Sequence, residues 1–308
     1  MNFKLYWDVI KEIVGDFSDN KVPKLGAALA YYTVFSLAPL LLIAIAVAGL
    51  MFGSEAASGK IYEEIKGLIG NEGAALVQTA IKNSSNKETG IIAAVISLLT
   101  LGIGATAVFI ELQDSLDMIW RVKPKSNKPL MSFIRTRLIS FAMVVAMGFL
   151  LLVSLIISAG LAALNQFLTN LGFIPVWVLQ VFNIVFSLFV MFAIFSMIYK
   201  VLPDVQLSWK DVRMGAIVTT ILFVLGKYLI GLYLGKSTIS STYGAAGSFA
   251  ILLVWVYYSA QILFIGAEFT YVYANRFGSG IKPSEHADKV DVAKFEELSK
   301  SSESEKKK

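Results

Sequence analysis

The stretch FNIVFSLFVMFAIFSMI, Phe182–Ile198, decides the fold class, because it holds no charged residue and no polar–apolar alternation. Extended to 176–202, it exceeds the about 20 residues that a helix needs to cross a hydrocarbon layer of about 30 Å. Lipid offers no hydrogen-bond partners to the backbone, so a spanning segment must be a helix or a strand of a closed barrel. Barrel strands alternate polar and apolar residues. The stretch therefore predicts a membrane-spanning helix.

Five other stretches have the same character. Hydrophobic residues make up 56% of the chain and charged residues 16%, below the roughly 25% of a soluble domain. We therefore predict an all-α integral membrane protein, with a six-helix transmembrane domain over residues 25–276. The six predicted spans are Leu25–Phe52, Gly90–Ile110, Leu138–Leu164, Val176–Leu202, Val212–Leu234 and Gly247–Ala274.

The distribution of basic residues predicts how the helices are oriented. Of the 27 Lys and Arg residues, 21 fall on the side of the layer that holds the N-terminus, 5 fall on the other side, and Lys227 lies inside a span. Loops rich in Lys and Arg stay in the cytoplasm. Both termini are therefore predicted to be cytoplasmic, and the net charge of +5 reflects topology and anionic lipids rather than nucleic-acid binding.

The N-terminal segment, residues 1–24, contains an amphipathic helix. Its apolar residues follow spacings of three and four, which places them on one helical face. This face either lies in the cytoplasmic membrane interface or packs against the cytoplasmic ends of the spans. The residues that form it are Phe3, Trp7, Ile10, Val14 and Phe17.

The connection 53–89, between the first two spans, is the longest and is predicted to be external. It carries helical spacing at Ile61, Ile65 and Leu68, and again at Ala74, Val77 and Ile81. We expect two short amphipathic helices that lie on the membrane or cap the bundle. After the last span, residues 277–308 are polar and charged, a composition typical of a disordered cytoplasmic tail.

Polar residues inside the predicted spans are the candidates for a substrate site, because polar groups are costly in hydrocarbon. Lys227 either extends its stem towards the headgroups or offers a cation inside the bundle. Gln261 lies near the depth of Lys227 and could bond to it, or could tie two helices together. Pro39 removes a helical hydrogen bond, which in transporters can expose a carbonyl group. The candidate substrate-binding residues are Lys227, Gln261, Glu268, Tyr257, Tyr258, Ser36 and Pro39.

Two further groups of residues are candidates for function. The carboxylates of Glu111, Asp114 and Asp117 share one helical face at the cytoplasmic end of the second span. They form either a salt-bridge lattice with the basic run Arg121–Lys128 or a cation or proton site. Four glycines permit close helix packing or hinging: Gly102, Gly104, Gly244 and Gly247.

The sequence does not predict an enzyme. It contains no cysteine and one histidine, so thiolate chemistry and His-rich metal clusters are excluded, and no P-loop or zinc-protease motif is present. No catalytic residue, metal or other cofactor is predicted. The expected partners are membrane lipids, and the sequence leaves the oligomeric state open.

Six stretches taken together resemble the YihY/BrkB family of bacterial membrane proteins, once labelled ribonuclease BN. The resemblance covers about residues 5–277. It implies a six-span protein of the bacterial cytoplasmic membrane, linked in some members to envelope integrity, serum resistance or lipid export. The stretches that carry it are Gly26–Leu40, Leu112–Trp120, Tyr199–Asp204, Ser241–Ser248, Trp255–Gln261 and Gly266–Glu268.

Two functions are consistent with these observations. The first is a transporter or flippase-like carrier of a lipid or other amphipathic anion, for which Lys227 would supply the cation. The alternative is a non-transporting envelope scaffold that binds a partner through the external connection. Ribonuclease activity is not expected, because RNA cleavage needs acid–base groups or metal-bound carboxylates in water beside the phosphate.

Overall fold

The structure, a computed structural model, describes residues 3–52, 91–125, 176–236 and 245–290, with scattered positions between 58 and 82 and between 138 and 157. These residues are mostly helical, as predicted. The helices are α1 (Phe3–Asp19), α2 (Val22–Phe52), α3 (Ile91–Ile119), α4 (Val176–Val201), α5 (Trp209–Lys236) and α6 (Ala245–Arg276). The strands are β1 (Val122–Pro124), β2 (Val205–Gln206), β3 (Lys282–Pro283) and β4 (Ala287–Lys289).

Three helical segments of the described chain are long and apolar enough to cross a membrane. They are Val181–Val201, Trp209–Leu232 and Phe249–Arg276, with mean hydropathies of 2.5, 1.9 and 1.9. The predicted span Leu138–Leu164 is described only at scattered positions between 138 and 157. Six spans and cytoplasmic termini therefore stay predictions.

Helix α6 is the centre of the arrangement, because it packs against both α2 and α5. Helix α4 packs against α5, and α3 packs against α2. The helices α3, α4 and α6 end, and α2 and α5 begin, at a common end where α1 and the four strands also lie. We call this the polar end, and it is the end that the sequence predicts to be cytoplasmic.

Buried aromatic residues join four helices near the polar end. The indole Nε1 of Trp120 donates a hydrogen bond to the carbonyl oxygen of Ala267 at 3.1 Å. The hydroxyl of Tyr199 donates to the carbonyl oxygen of Leu263 at 2.7 Å and lies 2.9 Å from the hydroxyl of Thr219. These bonds satisfy polar atoms of large buried side chains, so the aromatic residues can fill the core without the cost of an unpaired donor.

The prediction of a disordered tail from residue 277 is wrong for residues 277–290. Strand β3 pairs with β2, and β4 pairs with β1, both antiparallel. Gly280 makes the turn after α6 with a φ of 71°, which a residue with a Cβ adopts at a cost. Composition misled here because the short strands are held by main-chain hydrogen bonds, such as that from Val290 N to Arg121 O at 2.8 Å.

Helix α1 leaves three residues of its apolar face exposed, whereas Phe17, at the C-terminal end of that face, packs partly buried against the core. Trp7, Ile10 and Val14 are 50%, 50% and 63% exposed. The opposite face contacts α6 and carries polar side chains, with Val9 the buried apolar residue. Of the two positions that the sequence left open for this apolar face, the exposure of Trp7, Ile10 and Val14 favours the membrane interface for most of the face, and Phe17 alone packs against the core among its described residues.

The predicted external connection packs along the helices. Its described positions between 58 and 82 are helical, as expected. Val77 is buried in an apolar cluster with Ala30 of α2 and with Leu252 and Val256 of α6. Ala30 lies about eight residues, or roughly 12 Å, along α2 from the polar end. The described part of the connection therefore packs against the sides of α2 and α6.

Candidate functional site

A polar stripe on α1 contacts the other helices at the polar end. Glu12, Asp16 and Asn20 lie four residues apart, so they share one face of α1. Glu12 forms an ion pair with Arg276 at the end of α6. Asp16 Oδ1 lies 2.8 Å from Arg121, and the amide of Asn20 donates to Glu268 at 2.7 Å. We call Glu12, Asp16 and Asn20 the α1 stripe.

Arg121 is held in an uncommon backbone conformation beside this stripe. Its φ is 58°, in the left-handed region that costs a residue with a Cβ about 1–2 kcal/mol. Its guanidinium pairs with Asp16 and lies 5.2 Å from the ring centroid of Tyr271. Burial raises the pKa of Asp16 above its ordinary value, and the charge of Arg121 only partly opposes that effect.

Glu268 is the most deeply buried carboxyl group of this region, with an exposure of 0%. Its Oε1 atom accepts the hydrogen bond from Asn20. Among the described residues, nothing forms a hydrogen bond with its Oε2 atom. The carboxyl group of Glu268 is therefore covered on the side where Asn20, directly after α1, contacts it.

The acidic cluster of α3 lies nearby, against the turn that follows α4. Asp117 is 4% exposed, and its Oδ1 accepts a hydrogen bond from the backbone N–H of Asp204 at 2.8 Å. Asp114 is exposed and Glu111 is half-buried. Arg121, the first residue of the basic run, pairs with Asp16 across to α1. Within the described residues, no group of three or more Asp, Glu, His or Cys side chains is arranged to hold a metal ion.

Gln261 lies at the contact between α6 and α2. A Cβ at Gly26 would collide with its amide nitrogen and would lie 3.6 Å from the ring of Tyr257. Both polar atoms of the Gln261 amide are buried, and among the described residues neither has a hydrogen-bond partner. Of the two alternatives for Gln261, the bond to Lys227 does not form, and the amide instead lies at the contact between two helices.

Lys227 lies away from the most exposed side of α5. Thr220, Phe223 and Lys227 follow spacings of three and four, so they share a face on which Thr220 is buried and Lys227 is half-buried. Phe223 packs edge-on against Phe195 of α4 and Trp255 of α6. The exposed apolar stripe of α5, 55–69% exposed, follows another side of the helix and consists of Ile221, Leu225, Tyr228, Leu229 and Leu232.

The other predicted residues are spread along the helices. Tyr258 lies at the contact of α6 with α5, where a Cβ at Gly226 would lie 3.0 Å from its ring. Tyr257 is 37% exposed, and Ser36 is buried in α2. Pro39 lies within α2, which continues through it as one helix. Gly102 and Gly104 lie within α3, Gly247 is buried in α6, and Gly244 lies outside the described residues.

Sequence reasoning missed the α1 stripe and several glycines at close helix contacts, among them Gly26 and Gly266. The spacing of Glu12, Asp16 and Asn20 was visible, but it reads as the solvated face of an amphipathic helix. Gly26 and Gly266 permit the close approach of α2 and of Thr219 on α5 to α6. Both glycines belong to stretches that carry the family resemblance.

Five of the six stretches that carry the resemblance meet around α6. Gly26 contacts Gln261, Trp120 bonds to Ala267, and Tyr199 bonds to Leu263 just before Gly266. Asp117 and Asp204, from two further positions in these stretches, bond to each other beside them. These residues, which belong to the stretches that carry the family resemblance, therefore hold the helices together at the polar end.

The apolar helices and their buried polar contacts define a helical membrane protein. The chain belongs to the family described as Virulence factor BrkB, whose profile matches residues 13–291. This family agrees with the resemblance drawn from the sequence.

The curated relatives are similar to the chain at low identity. The UPF0761 membrane protein of Stenotrophomonas maltophilia (strain K279a) is 27% identical over 82% of this chain and 57% of its own length. That of Ralstonia nicotianae is 25% identical over 81% of this chain and 55% of its own length. The chain thus spans about half the length of these relatives.

A third relative matches over nearly its whole length. YfkH of Bacillus subtilis (strain 168), which is named as ribonuclease-like, is 24% identical over 84% of this chain and 92% of its own length. No solved structure matches the chain.

Proposed function

We propose that the protein carries a lipid or another amphipathic anion across the bacterial cytoplasmic membrane. The observation that supports this proposal is the half-buried Lys227, on a face of α5 that it shares with Thr220 and Phe223. A lysine that only anchors a helix in lipid would be expected on the exposed stripe of α5, from where its stem can reach the headgroups. A cation kept off that stripe is available to an anionic group that moves between helices.

The surroundings of Lys227 suit the rest of an amphipathic molecule. Phe223, Trp255 and Phe195 pack edge-on beside the face that carries Lys227, with ring centroids 5.7 and 6.5 Å apart. These rings offer an apolar wall to an acyl chain, and Lys227 offers a charge to its headgroup. A charged group within a membrane span typically marks a pathway for a substrate or an ion.

Replacing Lys227 by Met tests this role in lipid vesicles. We expect K227M to move a fluorescent anionic phospholipid between leaflets at least about tenfold more slowly than the unsubstituted protein, because a charge-assisted hydrogen bond contributes about 1.5–3 kcal/mol. K227R should retain most of the movement. The exposed Lys210, in the first turn of α5, supplies the matched control K210M, which should move the lipid at the original rate.

A zwitterionic phospholipid in the same assay tests the preference for anions. K227M should change the movement of the zwitterionic lipid little, because a headgroup without net charge is attracted less strongly to the Lys227 ammonium group. Equal rates for K227M and the unsubstituted protein on the anionic lipid, with both proteins folded, would refute the proposal.

The scaffold alternative needs a different experiment from removal of the connection. Val77 is buried against α2 and α6, so deletion of Ile61–Ile81 would remove packing as well as any partner surface. The exposed ion pair of Glu63 with Lys66, at 3.6 Å, offers a surface that can be altered alone. A scaffold predicts that E63K with K66E impairs envelope integrity in cells while lipid movement in vesicles is unchanged.

A further inference from the structure

The burial of Glu268 makes the ionisation of its carboxyl group unfavourable. The carboxyl group is fully buried, and the amide of Asn20 is its one hydrogen-bond partner among the described residues. A buried carboxylate is costly unless several donors or a dedicated cation compensate it. One amide donor leaves most of that cost in place, so this environment favours the neutral acid.

The charged groups around Glu268 do not supply a dedicated cation. The charge of Arg121, two residues after α3, acts on Glu268, but its guanidinium already forms an ion pair with Asp16 at 2.8 Å. Arg276 of α6 is likewise paired with Glu12. The titratable groups that face Glu268 from the elements packed against it are Asp16 of α1, Arg121 after α3, and Tyr271 of α6.

Ionisation of Glu268 would act on α1 directly. A negative charge at Glu268 would act against the carboxylate of Asp16 on the α1 stripe, and like charges in a partly buried site repel strongly. The ionised group would also compete with Asp16 for the guanidinium of Arg121. Water could relieve this cost only if α1 moved away from α6.

We propose that Glu268 is a proton-binding site that controls the docking of α1. With the proton on its carboxyl group, α1 is docked through the α1 stripe. Release of that proton to water leaves the carboxylate, which α1 uncovers by undocking. This proposal does not depend on the transport of a lipid, and it is tested without any substrate.

Infrared difference spectroscopy of the full-length protein in lipid vesicles tests the proton site. As pH is raised, we expect the C=O stretch of a protonated carboxyl group to disappear in the unsubstituted protein. E268Q should lack this signal, and the exposed Glu285 supplies the matched control E285Q, which should retain it. N20A, which removes the amide donor but keeps the acid, should hold the proton to a higher pH. An unchanged signal in E268Q would overturn the proposal.

Cysteine labelling tests the movement of α1, since the chain has no native cysteine. Val9 is 8% exposed on the docked face, whereas Gly15 is exposed with open space around it. The reactivity of V9C divided by that of G15C cancels the effect of pH on the thiol itself. This ratio should rise severalfold with pH and stay low when E268Q is added. A ratio that rises equally in E268Q, or that stays constant in the otherwise unsubstituted chain, would overturn the control of α1 by Glu268.

Discussion

At the scale of single residues, Gly266 shows how closely the helices approach. A Cβ at this position would lie 2.6 Å from the hydroxyl oxygen of Tyr199 and 2.9 Å from Cβ of Thr219. Both neighbours are buried and hydrogen-bonded, Tyr199 to Leu263 and Thr219 to Gly215. They therefore cannot move aside without loss of a hydrogen bond.

We expect G266A to lower the free energy of unfolding by about 1–3 kcal/mol, the usual cost of overpacking a core. The measurement is reversible unfolding of the protein in mixed micelles. Gly231 supplies the matched control, because nothing lies within 4 Å of a Cβ there. G231A should not destabilise the protein, since alanine is the better helix former. Equal stability of G266A and the unsubstituted protein would contradict the contact.

The sequence identified which residues are unusual better than it identified their contacts. Glu268 and Gln261 stand out because polar groups are costly in a span, but periodicity along one helix does not show which neighbour covers them. Gln261 faces Gly26 and Glu268 faces Asn20, and both partners come from positions more than 200 residues away in the chain. These pairings depend on how α1 and α2 pack against α6.

Among the helices, α1 is unusual because it contacts the bundle mainly through polar residues and leaves most of its apolar face exposed. An amphipathic helix usually turns its apolar face to the protein core, whereas α1 is bonded to the bundle by Glu12, Asp16 and Asn20. Its exposed face of Trp7, Ile10 and Val14 suits the boundary between headgroups and acyl chains. The exposed lysines Lys11, Lys21 and Lys24 suit anionic headgroups.

Fluorescent labels on single cysteines test this position of α1. A label at V14C should be quenched by brominated lipid, and a label at G15C, about 100° further around the helix, should be quenched by iodide in water. The measurement uses the full-length protein in vesicles that contain an anionic lipid. Equal quenching of the two labels by iodide would mean that the apolar face is not in the membrane.

The strands are elements that the sequence did not predict. They are two or three residues long, so they carry no alternation that could be recognised. The long helices were predicted because apolar runs of 20 or more residues leave few alternatives in a membrane. The length of a segment therefore decides whether its sequence pattern predicts it, since a short strand is specified by its partners rather than by its own pattern.

Shortening the chain tests the contribution of β3 and β4. A protein that ends at Gly280 loses the hydrogen bonds from Ser284 N to Asp204 O and from Val290 N to Arg121 O, together with both strand pairs. We expect its free energy of unfolding to fall by about 1–3 kcal/mol, because each hydrogen bond contributes about 0.5–1.5 kcal/mol. A protein that ends at Val290 is the control and should unfold like the full chain. Equal stability of the two shortened proteins would contradict a stabilising role for this segment.

The stability of the folded protein should depend on pH because titratable groups are partly buried at the polar end. Burial raises the pKa of Asp16 above 3.8, so the folded state holds a proton that the unfolded state has already released. Within the pH window above 3.8, the folded state binds more protons than the unfolded state. Stability therefore falls as pH rises through this window, and Asp16 contributes to that fall.

Thermal melting between about pH 4 and pH 7 measures this dependence. D16N should flatten the decline of the melting temperature with pH, because the substituted residue no longer titrates. A decline as steep in D16N as in the unsubstituted protein would show that other groups are responsible.

The strand pairs also constrain the order in which the molecule is made. Residues 281–290 bind the backbone after α3 and after α4, yet they are synthesised after all six described helices. The backbone at Arg121 and Asp204 therefore gains these main-chain hydrogen-bond partners only after α6 has been synthesised. A chain that ends before Val290 lacks the hydrogen bond to the carbonyl group of Arg121, so the polar end is complete only after the segment that follows α6 has been made.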